Sequence, residues 1–398
     1  MFRFLLIFFL LYGGLHGYAF WKIKLAFPLG QAVSMLVVAV MTFMTIAPIL
    51  IRVSEQNGLE STARTLSLVG YTWMGVLFLF FSASLMFDVY RLILFLVELT
   101  GAREAVSFRL SARQAFLFPL ILALGIFIYG WFEARSIRVE SLSVETEKIS
   151  PETGRLRLVQ ISDVHIGLMI GSDFLYRMLK IVQDAKPDIL LSTGDLVDGQ
   201  MNSLVKVLPL LQGIQPRLGK YAITGNHEFY AGITEAEEFT RKAGFVMLRG
   251  KGVTVAGLIN IAGIDDPAGR AMGQYRPVVE AELLEALPAQ YFTLLLKHQP
   301  VVDRKSFDRF DLQLSGHTHK GQIFPFSLIT RLYFPLHTGF FRLSNLSWLR
   351  VSRGTGTWGP PIRFLAPPEV TVIDLVPKGL LRRDPGGYSM VGSSRGGE

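Results

Sequence analysis

Four long stretches without a charged side chain lie in the first third of this 398-residue sequence and constrain its fold most strongly. They contain 18, 27, 23 and 19 residues and run over Phe4–Trp21, Leu25–Ile51, Thr65–Phe87 and Gln114–Phe132. Because a helix rises about 1.5 Å per residue, roughly 20 apolar residues cross the hydrocarbon core of a bilayer. We therefore predict an integral membrane protein with about four membrane-spanning helices.

The rest of the chain has a different character. Residues 1–132 contain only 14 of the charged residues, although the whole chain has 40 Lys or Arg and 32 Asp or Glu. From about residue 143, short β-rich runs alternate with amphipathic helical stretches, which predicts an α/β domain. We divide the chain into an α-helical membrane domain (1–132), a linker and entry segment (133–154), a globular domain (155–376) and a disordered tail rich in Gly and Ser (377–398).

The positions of the charges bear on orientation and partners. The loops on the side of the amino terminus carry five Lys or Arg near the spans and the opposite loops carry six, which predicts a globular domain outside the cytoplasm. The net charge of +8 is spread without a basic run, so we expect no nucleic-acid partner. The sequence gives no indication of the oligomeric state.

Five polar motifs follow apolar β runs in the globular domain. In chain order they are Asp163-Val164-His165, Gly194-Asp195-Leu196-Val197-Asp198-Gly199, Gly225-Asn226-His227-Glu228, Lys297-His298 and Gly316-His317-Thr318-His319. Ligand groups in α/β sheets gather at the carboxyl ends of strands, so these side chains are expected to meet at one edge. Carboxylates, imidazoles and an amide oxygen suit two divalent ions that share a carboxylate. Such a pair, about 3.5–4 Å apart, can hold the attacking and leaving oxygens of a phosphoryl transfer.

This series of motifs resembles the calcineurin-like metallophosphoesterase superfamily. The segments GHTHKGQIF and VSRGTGTWGPPIRFLAPPEVTVIDL resemble its bacterial membrane-associated phosphodiesterase branch, and the whole resemblance covers Arg155–Leu375. It implies a four-layer α/β/β/α sandwich with two mixed sheets, and it implies location in a bacterial cell membrane. The four predicted spans lie outside the resemblance.

The resemblance also implies roles for individual residues. It assigns the first metal to Asp163, His165 and His319, and the second to Asn226, His298 and His317. Asp195 would bridge the two ions. His227 would bind no metal but would act as the catalytic group that stabilises or protonates the leaving oxygen. Mn, Fe and Zn all accept such ligands, so the identity of the two divalent ions is left open.

Several other residues have two interpretations. Lys320 occupies a place where the branch usually has glycine, and it either points to solvent or reaches the substrate phosphate. Arg353 either binds a phosphate or forms a structural ion pair. The Asp265-Asp266 pair is expected in a turn rather than at a metal. Apolar residues after the last metal motif form either a rim for lipid beside the metals or ordinary core: Ile323, Phe324, Pro325, Phe326, Leu332, Tyr333, Phe334, Phe340 and Phe341.

The sequence thus predicts a membrane-anchored, dinuclear metal-dependent phosphoesterase, most simply a phosphodiesterase that cleaves a lipid-linked phosphoester at the bilayer. One alternative is pyrophosphate cleavage in a nucleotide-linked lipid such as UDP-diacylglucosamine, as in related membrane-associated enzymes. A second alternative, from another class, is a catalytically silent membrane sensor or scaffold. The intact set of ligand residues favours an enzyme.

Overall fold

The computed structural model describes residues 2–100, 109–199, 201–379 and 388–390. The chain divides into two compact units, one of residues 1–132 with 359–362 and one of the remaining residues. Among the described residues of the helical part, four helices are long and apolar enough to cross a membrane. They are α1 (Phe2–Ala26), α2 (Gln31–Gln56), α3 (Glu60–Leu99) and α4 (Gln114–Glu133), and each contains most of one predicted stretch.

Polar side chains join α1 to α3. The Nε2 atom of His16 in α1 accepts a hydrogen bond from the Trp73 indole of α3 at 2.8 Å. The other ring nitrogen of His16 lies 2.8 Å from a main-chain carbonyl one turn earlier. Near the end of α1, Lys22 pairs with Asp88 of α3 at 2.5 Å. His16 and Lys22 therefore have partners inside the helical unit, and both contribute to the packing of its helices.

The second unit alternates short strands and helices. Its described strands are β1 (Arg138–Thr146), β2 (Leu156–Ile161), β3 (Ile189–Ser192), β4 (Lys220–Ala222), β5 (Phe245–Met247), β6 (Lys251–Val255), β7 (Ile259–Gly263), β8 (Phe292–Leu296), β9 (Leu312–Ser315), β10 (Gly339–Arg342), β11 (Trp348–Val351), β12 (Glu369–Pro377) and β13 (Tyr388–Met390). Its described helices are α5 (Ser172–Asp184), α6 (Leu208–Gln212), α7 (Asn226–Ala231), α8 (Ile233–Lys242), α9 (Ala268–Ala271), α10 (Glu280–Glu285) and α11 (Phe326–Tyr333).

These strands form two mixed sheets. The first has the order β13-β1-β12-β2-β3-β4-β5, and only the β12–β2 pair is antiparallel. The second has the order β10-β11-β9-β8-β7-β6, with antiparallel pairs at its two ends. Strands β2, β3 and β4 are therefore parallel neighbours in one sheet, and β8 and β9 are parallel neighbours in the other.

The two sheets pack face to face and carry helices outside. Alternation along β2 places Leu156 and Leu158 between the sheets, where they join Leu294 of β8 and Leu314 of β9 in one core. Residues of the opposite parity in β2 pack with α5, α6 and α8 in a second core. A third, smaller core lies between the second sheet and α10, around Leu295. The predicted α/β/β/α arrangement with two mixed sheets is confirmed.

Several regions differ from the sequence expectation in detail. The segment 133–154, interpreted as a linker and entry, contains β1, which pairs with β12 along nine residues. The predicted rim divides, because Ile323 is buried and Phe340 stacks on Trp348 with ring centroids 4.9 Å apart, whereas Phe326 and Leu332 are exposed. Most of the tail predicted to be disordered lies outside the described residues.

Candidate metal centre

Three parallel strands of the first sheet and two of the second bring their polar ends to one place. Asp163 and His165 follow β2, Asp195 follows β3, Asn226 and His227 begin α7 after β4, His298 follows β8, and His317 and His319 follow β9. We call Asp163, His165, Asp195, Asn226, His298, His317 and His319 the strand-end cluster. The first sheet supplies both carboxylates and the amide of this cluster, and the second sheet supplies three of its four imidazoles.

The first half of the cluster is formed by Asp163, His165 and His319, whose ligand atoms lie within 4.8 Å of one another. The Nε2 atoms of the two histidines are 3.0 Å apart, and His319 Nε2 is 3.4 Å from an Asp163 carboxylate oxygen. The same carboxylate accepts hydrogen bonds from the His317 main-chain N–H at 2.8 Å and from the Ser162 hydroxyl at 2.5 Å. Asp163 is therefore held in place by both sheets.

The second half contains Asp195, His298 and His317, again with ligand atoms within 4.8 Å. His298 Nε2 lies 3.1 Å from Asp195 Oδ2 and 3.2 Å from His317 Nδ1. The Asn226 amide oxygen is 3.0 Å from the same His317 nitrogen. His298 donates its Nδ1 proton to the Thr193 carbonyl at 2.8 Å, which leaves the Nε2 lone pair directed at the cluster.

These spacings fit the residues to metal ions. Ligand atoms held about 2.0–2.2 Å from a common ion at tetrahedral or octahedral angles are roughly 2.8–3.6 Å apart. The donor pairs above lie between 3.0 and 3.4 Å. Asp195 groups with His298 and His317 and also lies within 4.8 Å of His165 in the first half, so it can serve both halves. A ring nitrogen of His227 lies within the same distance of His165 and Asp195. The residues present therefore fit two ions with one shared carboxylate.

Burial sets the charge states of the ligands. It lowers the pKa of His165 to about 4 and that of His317 to about 3, so both rings are neutral at pH 7, which is the form that binds metal. Burial also raises the pKa of the Asp163 carboxyl to about 6. Burial also lowers the pKa of His298, but the neighbouring Asp195 carboxylate has a larger effect and raises this pKa well above its usual value. A metal ion therefore competes with the His298 proton for the place between His298 and Asp195.

The backbone of the cluster is strained at its ligands. Asp163, His165, Asp195, His317 and His319 all have φ between 48° and 70° although none is glycine. Such left-handed conformations cost roughly 1–2 kcal/mol per residue and concentrate at functional sites. Neighbouring loops also pack very closely: a Cβ atom on Gly225 would lie 2.1 Å from an Asp195 carboxylate oxygen. The loops are therefore shaped for the positions of these side chains.

His227 lies beside both groups but has a partner of its own. Its Nδ1 atom is 3.0 Å from an Asp198 carboxylate oxygen, and its main-chain N–H donates to Asp195 at 2.8 Å. Burial opposes charge on this ring, but Asp195 and Asp198 raise its pKa to about 9. Two half-exposed rings, Tyr230 and Trp358, contact His227 edge to face at centroid distances of 5.5 and 5.7 Å.

Glu228 is a site residue that the sequence reasoning quoted but gave no role. Its buried carboxylate accepts hydrogen bonds from the main-chain N–H groups of Gly225 at 2.6 Å, Asp195 at 2.9 Å, Leu196 at 2.7 Å and Val197 at 3.3 Å. One side chain thus fixes the loop after β3 to the loop after β4. The signal in the sequence was the capping-box position, three residues after Gly225, where a glutamate accepts main-chain N–H groups at a helix start.

Arg363 is a second residue that the sequence reasoning did not single out. It is fully buried and donates to the main-chain carbonyls of Arg353, Gly356 and Ala366 at 2.6–2.9 Å. One of its nitrogens lies 3.1 Å from His319 Nδ1. Its guanidinium therefore holds the loop after β11 against the loops that carry the first metal group. Only its place within the segment that resembled the family marked it in the sequence.

The two predicted substrate-binding residues lie in different surroundings. Arg353 donates to the carboxylates of Glu140 at 2.5 Å and Glu369 at 2.8 Å, so the guanidinium forms the structural ion pair that was one of its two interpretations. Lys320 directly follows His319, is half-buried and has φ of 54°. Burial lowers the pKa of Lys320, and the nearby Arg353 contributes in the same direction.

Comparison with known proteins agrees with this geometry. The family model for calcineurin-like phosphoesterases matches residues 156–321. A metallophosphoesterase of Aquifex aeolicus is 38% identical over 261 residues, which is 65% of this chain and 100% of that protein. One from Campylobacter jejuni is 32% identical over 314 residues, covering 76% and 82% of the two chains. The "transmembrane protein with metallophosphoesterase domain" of Danio rerio is 32% identical over 323 residues, covering 78% and 74%.

The five metal motifs and their grouped His and Asp side chains lie within residues 156–321, the range that the family model matches. The chain belongs to the calcineurin-like metallophosphoesterase family.

Proposed function

We propose that this metallophosphoesterase is a membrane-anchored phosphodiesterase that acts on a phosphoester at the bilayer. The observation that supports a two-metal reaction most directly is that Asp195 groups with His298 and His317 and also lies within 4.8 Å of His165, a member of the other half of the strand-end cluster. The four apolar helices on the same chain support an anchored enzyme. Similarity to the bacterial membrane-associated branch supports a diester rather than a monoester.

In this proposal the strand-end cluster holds the ions and His227 assists the reaction. Asp163, His165 and His319 hold one divalent ion, and Asn226, His298 and His317 hold the other, with Asp195 shared. When bound, two such ions supply Lewis acidity and an activated water for in-line displacement at phosphorus.

The protein's own groups position and protonate the substrate. Asp198 orients His227 through Nδ1, so the free Nε2 atom is the one that can donate a proton to the leaving oxygen. Glu228 holds Asp195 and the start of α7 in a fixed relation, which keeps His227 at a constant distance from the ligands. His227 is thus suited to donate the proton, Asp198 to orient the ring and Glu228 to hold the loops in place.

Turnover of bis(p-nitrophenyl) phosphate by the detergent-solubilised full chain, with Mn²⁺ added, tests the proposal. We expect hydrolysis by the wild type and none above background by Asp195→Asn. Asp184→Asn is a matched control, since Asp184 lies on the exposed side of α5 and pairs with Lys180 at the surface. Hydrolysis of p-nitrophenyl phosphate in preference to the diester would contradict the diesterase assignment, and equal activity of Asp195→Asn would contradict the two-metal assignment.

One observation favours a second candidate, cleavage of the pyrophosphate in a nucleotide-linked lipid such as UDP-diacylglucosamine. Tyr230 and Trp358 present half-exposed rings beside His227, on the side proposed for the leaving group. Aromatic rings in such positions stack on flat groups, and a nucleobase is one. Release of UMP from that lipid, weakened at least tenfold by Trp358→Leu, is the expected result for this candidate. No release of nucleotide would exclude it.

A catalytically silent sensor or scaffold is separated from both enzymes by one combined measurement. An enzyme contains metal and turns over the aryl diester, whereas a silent relative with the same fold can contain metal without turnover. The complete ligand set supports the enzyme. Metal-loaded full chain without activity on any phosphoester would favour the silent alternative.

The orientation in the membrane is part of the proposal. The excess of Lys and Arg in the loops opposite the amino terminus supports a catalytic unit outside the cytoplasm. Reporter fusions after Leu375 are expected to be active only when the reporter works outside the cytoplasm. A reporter active in the cytoplasm would contradict this orientation and would strengthen the nucleotide-lipid candidate, whose substrate is made there.

A further inference from the structure

Helix α11 has its polar and apolar sides reversed relative to an ordinary helix of a soluble domain. Its apolar side chains Leu328, Ile329, Leu332 and Tyr333 are 56%, 57%, 84% and 81% exposed. The small polar residues on its opposite side, including Thr330, are half-buried. A helix on a water-facing surface normally buries its apolar face and exposes its polar one. The outward face of α11 is therefore suited to an apolar surrounding.

This helix is attached closely to the metal centre. A Cβ atom on Gly321, two residues after His319, would lie 2.3 Å from the Cα of Ser327 in α11, so the two segments are in direct contact. At the other end of the helix, the ring of Phe334 packs edge to face on His317 with centroids 5.2 Å apart. The apolar face thus continues from residues that touch metal ligands.

Features of the same chain indicate what covers this face. Four helices suited to a bilayer precede the catalytic unit, and only residues 134–137 lie between the end of α4 and the start of β1. Four residues span at most about 14 Å when fully extended. The helix also carries exposed Arg331, which forms no ion pair among the described residues and can meet anionic lipid headgroups.

We infer that α11 is an interfacial helix whose apolar face lies in the bilayer, and that it admits a lipid-borne phosphoester to the strand-end cluster. The part of this inference that concerns the substrate rests on the proposed function; the position of α11 does not. Leu328 and Leu332 occupy the depth of the acyl chains, and Tyr333 lies at the level of the headgroups, where amphipathic rings are favoured.

The position of α11 can be measured without any assay of activity. The chain has no cysteine, so a single Leu332→Cys substitution gives one labelling site for a nitrobenzoxadiazole probe. Leu346→Cys is a matched control, because Leu346 is 60% exposed in the turn between β10 and β11, at the edge of the second sheet away from the metal ligands. Both full-length variants are reconstituted in vesicles of phosphatidylcholine and phosphatidylglycerol, and the probes are quenched by nitroxide-labelled lipid or by aqueous iodide.

We expect nitroxide lipid to quench the Leu332 probe several-fold more strongly than the Leu346 probe, and iodide to show the opposite order. Equal quenching of both probes by iodide, with little quenching by lipid, would overturn the inference. Protection of the Leu332 probe from both quenchers would also overturn it, because a second copy of the chain or another protein would then cover α11. A Leu328→Cys variant reads the same face and should agree.

The role of α11 in admitting the substrate is tested by comparing a lipid-borne phosphoester with a water-soluble one. In the full chain, Leu328→Ser combined with Leu332→Ser should lower kcat/KM for a phosphoester carried on a lipid in vesicles by roughly tenfold or more, since two large apolar contacts are lost. Hydrolysis of the water-soluble head-group analogue should not change, nor should either reaction in Leu346→Ser. An equal effect on both substrates would overturn the entry role. If the wild type hydrolyses neither substrate, the proposed function fails, and the quenching result still decides the position of α11.

Discussion

Two clusters of buried acidic side chains in the catalytic unit meet the same electrostatic problem in different ways. Neither Asp163 nor Asp195 of the strand-end cluster forms an ion pair with a lysine or arginine among the described residues. In the second cluster, the Arg249 guanidinium donates to Asp265 at 2.8–3.2 Å and to Glu237 at 2.9 Å. The carboxylates of the strand-end cluster instead have titratable imidazoles beside them, His227 and His298, whose pKa values they raise. Because buried carboxylates are costly without positive charge, the contrast indicates that this cluster is suited to cations from outside the chain.

The second cluster also shows why Asp265 is poorly placed to bind a metal. Asp265 accepts hydrogen bonds from Arg249, from the Thr224 hydroxyl at 3.1 Å and from the Arg276 main-chain N–H at 3.0 Å. Its lone pairs are therefore directed at protein donors. Acidic residues close in sequence do not by themselves make a metal ligand; the absence of a protein cation beside them is the more informative feature.

The largest expected effect separates the ligands of the strand-end cluster from His227, the catalytic group beside them. His227→Ala should lower turnover by about 10²–10⁴, because a general acid is lost, while both metals remain bound. Steady-state kinetics and elemental analysis of the purified variant measure the two quantities. His337→Ala is the control, since His337 lies outside the cluster, and it should keep its activity. Loss of one metal equivalent in His227→Ala would make His227 a ligand.

The second prediction concerns a variant that removes Arg249, the cation of the second cluster. Arg249→Met leaves the buried Asp265 carboxylate without its cation and should lower the free energy of unfolding by about 3–5 kcal/mol, with metal content unchanged. Denaturant unfolding of the full chain in detergent, with and without a chelator, measures it. The exposed Arg241, which also pairs with Glu237, gives the control Arg241→Met, with an effect of about 1 kcal/mol or less. An effect of Arg249→Met that vanished on chelation would contradict the distinction between the clusters.

A smaller effect is expected from the residue that ties the metal loops together. A glutamine at position 228 has one acceptor oxygen, so Glu228→Gln should lose about half of the main-chain hydrogen bonds of the carboxylate. We expect metal affinity or activity to fall 10–100-fold, as for other residues that orient ligands. Titration of the metal-free protein with Mn²⁺ measures the affinity. Glu238→Gln on the exposed side of α8 is the control, and a wild-type affinity in Glu228→Gln would contradict the assigned role.

The smallest effect concerns a buried cation without a carboxylate. Lys220 donates to the Leu211 and Ala243 carbonyls at 2.9 and 2.6 Å, and burial lowers its pKa from 10.5 to about 8. Between pH 8 and 10.5 the unfolded chain keeps a proton that the folded chain has lost, so stability should rise with pH in this window. Below pH 8 this group should cause no change.

The pH dependence is read from the difference between the wild type and Lys220→Met in thermal unfolding of the detergent-solubilised chain. That difference should increase from pH 8 to 10.5, while Lys242→Met, at an exposed position on α8, should parallel the wild type. A difference that stays constant across the window would show that Lys220 does not titrate there.

The arrangement of the strands was predictable because each metal motif follows an apolar run. Strands β3 (Ile189–Ser192) and β9 (Leu312–Ser315) are the apolar runs that precede the motifs beginning at Gly194 and Gly316, and the chemistry of those motifs indicated which edge would carry the ligands. The placement of the seven proposed ligands followed from one rule about the carboxyl ends of parallel strands.

What could not be predicted depends on contacts between distant parts of the chain. Strand β1 alternates polar and apolar residues within a segment read as a linker, and its partner β12 lies more than 200 residues later. Glu228 and Arg363 have roles only through the loops that fold against them. The reversed burial of α11 is also invisible in its sequence, since an amphipathic pattern does not say which face is turned inward.

The most direct test of the account is the metal content of the full chain, purified in detergent and measured by elemental analysis beside Asp195→Asn and Asp184→Asn. If the strand-end cluster holds two ions through a shared Asp195, the wild type and the surface control contain two metal equivalents per chain, and Asp195→Asn loses both. One equivalent or none in active wild-type protein, or two equivalents retained by Asp195→Asn, would contradict it.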